Sequence, residues 1–125
     1  MKIKTQCYNK LKFRVHTLTG NITLESFCTT LKQLHSSSDF NHELNAIWNI
    51  SQAKFHPVLL PDVVTARDFV DQLFRDDVAN KVAIVVACEV NHGLAAMFET
   101  LFKSSPAEIQ IYHEIAEAMK WVAVR

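Results

Sequence analysis

Lys81-Val82-Ala83-Ile84-Val85-Val86-Ala87-Cys88 decides the fold. Behind a single lysine stand seven apolar residues, many of them β-branched. The run is far short of the roughly 20 residues a membrane-spanning helix needs, and β-branched side chains favour strands over helices. A strand that is apolar on both faces belongs in the middle of a sheet with helices packed on each side, as in parallel α/β sheets.

The neighbours of this strand support that expectation. Upstream, Pro57 and Pro61 lie in a loop over 51–61, and Pro61-Asp62 opens a helix with Val63, Val64, Phe69, Val70, Leu73 and Phe74 on its stripe. Downstream, Asn91 can cap a helix carrying Val90, Leu94, Met97, Phe98, Leu101 and Phe102, which Ser104-Ser105-Pro106 ends. Ile109, Ile111 and Tyr112 form a short strand. A last helix follows from Glu114 with Ile115, Ala118, Met119 and Val122 inward.

Further upstream, residues 44–50 (LNAIWNI) read as a buried strand. Before it, Thr23 caps a helix whose Leu24, Phe27, Cys28, Leu31 and Leu34 share one face, and the Ser36-Ser37-Ser38-Asp39 cluster stops it. The amino-terminal segment alternates. Residues 2–8 form one strand and Asn9-Lys10 a turn; Lys10, Lys12, Arg14 and His16 then interleave with Leu11, Phe13, Val15 and Leu18 up to the Gly20-Asn21 break. This reading puts Lys10, Lys12 and Arg14 on one solvated face, where lysines guard a sheet edge.

The resulting order is β-β-α-β-α-β-α-β-α. Right-handed crossovers would make the strands after the opening hairpin parallel. The expectation is one α/β domain over 1–125: a five-stranded, mostly parallel mixed sheet with four helices. Composition agrees. The 125 residues are 49% hydrophobic and 21% charged, with two glycines and three prolines, which excludes disordered, linker-like and collagen-like chains. Thirteen basic residues balance thirteen acidic ones, so net charge gives no argument for nucleic acid. Cys7, Cys28 and Cys88 are odd in number and lack Cys-x-x-Cys spacing, against a disulfide framework or structural zinc. The start, Met1-Lys2-Ile3-Lys4, does not read as a signal peptide, and a cytoplasmic protein is expected.

Three stretches carry a likeness to a known family. Ala46-Ile47-Trp48-Asn49-Ile50-Ser51 with Ala53-Lys54-Phe55 resembles a strand ending in Asp-Leu-Ser followed by Val-x-Phe. Residues 81–87 with Gly93-Leu94-Ala95-Ala96-Met97-Phe98 resemble a second strand and helix. Ile111-Tyr112-His113-Glu114 with Glu117-Ala118-Met119-Lys120-Trp121-Val122 is similar to a final strand and its Glu-Ala-x-x-Trp-Leu helix. Together they resemble SpoIIAA-like (STAS) domains, in particular an uncharacterised bacterial branch. The resemblance implies the fold above and a regulatory, protein-binding role. Phospho-switch members of the family have an Asp-Ser-Ser-Gly-like turn that takes the phosphate on Ser or Thr. Here that stretch reads His56-Pro57-Val58-Leu59-Leu60-Pro61, without a hydroxyl, and Asn49 replaces the strand-end Asp. The resemblance therefore implies a module without the phosphorylation switch.

Ligands of open α/β sheets sit at the carboxyl ends of the parallel strands. Those ends map to Ser51, Gln52 and His56, to Glu89, Asn91, His92 and Gly93, and to His113, which form the candidate rim. The expected role is a non-enzymatic contact with a protein partner or with a second copy, without cofactor, metal or nucleic acid. A small apolar ligand or lipid, in a pocket lined by Trp48, Phe69 and Phe98, is the alternative. An enzyme using Cys88 or the rim histidines is a third reading: Cys88, Glu89 and His92 with His56 or His113 could in principle ligate a metal, and Cys88 near a helix start could be an activated thiol.

Overall fold

The computed structural model describes residues 1–37, 44–55, 64–65, 67–69, 72–73, 81–86, 99–100 and 108–123. Five strands form one mixed sheet in chain order: β1 (Lys2–Tyr8), β2 (Phe13–Ile22), β3 (Asn45–Phe55), β4 (Lys81–Val85) and β5 (Glu108–Tyr112). β1 is antiparallel to β2, and every later pairing is parallel. The expected α/β architecture is therefore the observed one. Two helices lie wholly within the described residues, α1 (Leu24–His35) and the carboxyl-terminal α2 (Ile115–Val122). Residues 64–65, 67–69, 72–73 and 99–100 are helical as well. The remainder of the two middle helices expected from the sequence lies outside the described residues.

Helix α1 begins where a capping residue stands. Thr23 Oγ1 accepts from Ser26 N at 3.0 Å, and Ser26 Oγ accepts from Thr23 N at 3.0 Å. This reciprocal box satisfies two of the amide groups that a helix start leaves without partners. α1 buries Phe27 and Leu31 against Leu18, Ile22, Trp48, Ile50, Val82 and Ile84, with Phe69 and Leu73 closing the same cluster. On the other face of the sheet, α2 buries Ala118 and Val122 against Phe13, Val15, Ile47, Ala83 and Val85. The alternate residues of β4 thus go to opposite clusters, so the apolar run 82–86 is buried throughout. Each such Val or Ile contributes about 1.5–3 kcal/mol by leaving water.

Asn45 ties the amino end of the parallel sheet to α2. Its Nδ2 donates to Val122 O at 2.7 Å, while its Oδ1 accepts from Lys81 N at 2.8 Å. Lys81 Nζ reaches Trp121 O at 3.2 Å and sits 5.2 Å from the centre of the Trp121 ring. A cation here faces the negative end of the α2 dipole.

Three sequence expectations need correction. First, the strand does not break at Gly20-Asn21: β2 runs through both residues to Ile22, and Gly20 takes a positive φ without leaving the ladder. Second, β3 continues through residues 51–55, which the sequence reading assigned to a loop. The pairing with β2 advances from Thr17↔Asn49 to Thr19↔Gln52, so β3 carries one extra residue there, a β-bulge. The bulge moves the buried positions from Ala46, Trp48 and Ile50 to Ala53. The period-two pattern breaks at that point although the strand goes on. Third, Arg14 is not on a solvated face. It is 5% exposed and His16 is 0% exposed. β2 lies inside the sheet with β1 outside it, so alternation along β2 separates one covered face from the other, not inside from outside. Lys10 and Lys12 stand in the turn before β2.

A candidate binding rim at the carboxyl edge of the sheet

Among the described residues, β4 pairs with β3 as far as Val85↔Asn49. β3 runs on through residues 50–55, paired to β2 as far as Ile22↔Phe55. At about 3.3 Å per residue, this ledge projects roughly 20 Å past the β4 pairing, flanked at its root by β1, whose Ile3 and Lys2 pair with Leu18 and Thr19. Gln52 and Lys54 are exposed on it, Ser51 is half-buried, and Ala53 between them is buried. Gly20 and Asn21 expose the β2 side of the ledge, where Gly20 adopts φ 86, a left-handed conformation that glycine takes without strain.

Asn49 holds the root of the ledge. Its Oδ1 accepts from Ser51 N at 3.1 Å and from Ser51 Oγ at 2.6 Å. The side chain thereby supplies a partner to an amide displaced from the regular ladder by the bulge. The Asn-Ile-Ser triplet singled out in the sequence has a local structural function of its own. Two strands away, His113 is exposed directly after β5, and its Nδ1 lies 3.3 Å from Val86 O. Val86 N donates to Tyr112 O at 2.9 Å, which extends the β4–β5 alignment to the rim. The structure thus places Ser51, Gln52 and His113 along one edge, with β4 between β3 and β5. Adjacent strands are about 4.8 Å apart, so the two groups are separated by roughly 10 Å. His56, Glu89, Asn91, His92 and Gly93 lie outside the described residues, as does Cys88. Among the described residues, no group of three or more His, Cys, Asp and Glu side chains is gathered as a metal centre would require.

Between the ledge and the amino end of the parallel strands lies a polar cluster that alternation alone did not reveal. Arg14 Nε donates to His16 Nε2 at 2.9 Å, and Arg14 Nη1 donates to Leu44 O at 2.9 Å. Because Nε2 accepts, the neutral imidazole carries its proton on Nδ1, which donates to Thr5 Oγ1 at 2.8 Å. The ring packs 4.4 Å from Trp48, and Phe27 meets the same indole edge-on at 6.2 Å. Burial, and then the Arg14 charge, lower the His16 pKa to about 3. His16 is therefore a neutral core residue at physiological pH. Trp48 is covered by these two rings and is 3% exposed. Phe69 packs on the same core cluster, and Phe98, the third residue of the expected pocket, lies outside the described residues. Burial raises the Cys28 pKa, which disfavours the thiolate a nucleophile requires. The signal for the cluster was the length of the apolar pattern on β2: Leu18 and Ile22 share the face of Arg14 and His16, so that face had to be covered.

The chain superposes on the crystal structure of an uncharacterised protein from the DUF3478 family, with a SpoIIAA-like fold, from Shewanella loihica. The TM-score is 0.63 at 15% sequence identity, over 97% of this chain and 92% of that one. No family model matches the sequence, and no curated protein does. The fold is SpoIIAA-like, as the three sequence stretches implied. Among the described residues, no helix is long and apolar enough to cross a membrane.

Proposed function

We propose that the protein is a non-enzymatic regulatory module that binds a partner protein through the carboxyl rim. The observation that carries this reading is the ledge of β2 and β3. It extends beyond the β4 pairing of the described residues, exposes Gln52 and Lys54, and is braced at its root by the Asn49–Ser51 bonds. A braced strand pair with polar, exposed side chains offers a preorganised contact surface, which reduces the entropy lost on association. The absence of a hydroxyl from His56 to Pro61 fits contact regulated by partner availability in place of phosphorylation. A cytoplasmic location and a second copy as the partner belong to the same proposal.

The test uses the protein as bait, followed by calorimetric titration of the captured partner in purified form. The combined His56→Ala and Asn91→Ala variant is expected to weaken binding at least about tenfold, a loss of about 1.4 kcal/mol, with an unchanged thermal midpoint. Wild-type affinity in a folded variant would place the interface elsewhere.

A further inference from the structure

The other edge of the sheet carries a separate feature. β1 is the outermost strand, and every one of its residues except the half-buried Ile3 is exposed. Its outer backbone edge has no strand beside it among the described residues, so alternate N–H and C=O groups face outward. Lys2 and Lys4 alternate along this strand with Ile3 and Thr5, and Lys10 and Lys12 follow in the adjoining turn. No acidic residue precedes Glu25. At the far end of β1, Tyr8 is 36% exposed while stacked 4.8 Å from Phe13, and Leu11 is 41% exposed. Ile3, on the face opposite the two lysines, packs against the α1-side core cluster.

We infer that β1 is a docking edge for an extended acidic segment of a partner protein, which adds to the sheet as a sixth strand. The chemistry selects that occupant. A second copy at this edge would bring both sets of lysines together, which disfavours pairing of like edges. A segment alternating Glu or Asp with Val or Ile would meet Lys2 and Lys4 on one face. It would also continue the apolar surface at Ile3 on the other. Main-chain hydrogen bonds would supply affinity, while side-chain alternation would supply selectivity. The amino end of β1 adjoins the rim, with Lys2 paired to Thr19 and Thr19 to Gln52, but the docking edge is the outer backbone of β1 over residues 2–8 and not the strand ends, so this inference is tested apart from the rim proposal.

The probe is a short acetylated peptide alternating Glu and Val, titrated into the isotopically labelled full chain and followed by amide chemical shifts. Shifts are expected at residues 2–8 and 10–12, with affinity falling as salt rises. The Lys2→Glu, Lys4→Glu double variant should bind at least about tenfold more weakly while its core amide resonances stay in place. A peptide of the same charge with prolines replacing the valines cannot form the ladder and should also bind at least about tenfold more weakly. Equal binding of the proline peptide would reduce the contact to charge alone and overturn strand addition. Shifts confined to the rim, equivalent shifts with an oligonucleotide, or peptide-free dimerisation through β1 would each overturn it as well.

Discussion

Lowering the pH through the range of an ordinary histidine separates the folded from the unfolded chain at His16. The unfolded imidazole takes a proton near pH 6.5, whereas the folded one stays neutral down to about 3. Below pH 6.5 the unfolded state therefore binds more protons, and the stability contributed by His16 at neutral pH is lost as pH falls from about 6.5 toward 3. From about pH 7.5 to about pH 5 the cost is about 2 kcal/mol. Urea unfolding at the two pH values should show that loss, and His16→Gln should flatten the dependence even if it lowers stability at both. An unchanged slope in the variant would move the effect to another group. The same residue shows where sequence reading stops. His16 and Arg14 follow Lys10 and Lys12 in alternation, and nothing in that spacing distinguishes a solvated face from a covered one. The Arg14–His16–Thr5 bonds are a consequence of β1 and β2 pairing, which brings Thr5 opposite His16.

Among the elements, β4 and α1 were legible because each rests on a local rule. The run 82–86 has apolar residues for both faces, and Thr23 forms the cap its position suggested. β3 was legible only up to its bulge. The expected end at Ile50 coincides with the register change between Thr17 and Thr19 on β2, a tertiary feature with no fixed sequence sign. Asn49 holds Ser51 at this bulge through two hydrogen bonds. Asn49→Ala should cost about 1–2 kcal/mol by removing the acceptor for Ser51 N and Oγ. Asn49→Asp retains an acceptor for both and should retain most of that stability. Chemical denaturation of the two variants checks the difference, and equal losses would show that the bulge is held by other contacts.

For the whole molecule, the parallel pairing of β2 to β5 follows from the alternation of elements, whereas the strand order is a tertiary outcome, with α1 packed on one face and the carboxyl-terminal α2 on the other. The position of the rim followed from the same logic, and Ser51, Gln52 and His113 are found on it. The partner proposed for the rim is a second molecule, and the residues of this chain state only the shape and polarity that it would have to match. A photo-reactive amino acid incorporated at Gln52 in living cells addresses that most directly, with Glu117, exposed on α2, as the comparison position. Rim binding predicts a discrete adduct of one defined mass from position 52, weak or diffuse products from position 117, and loss of the adduct in the His56→Ala, Asn91→Ala background. Indistinguishable products from the two positions, or an adduct that persists in that background, would contradict it.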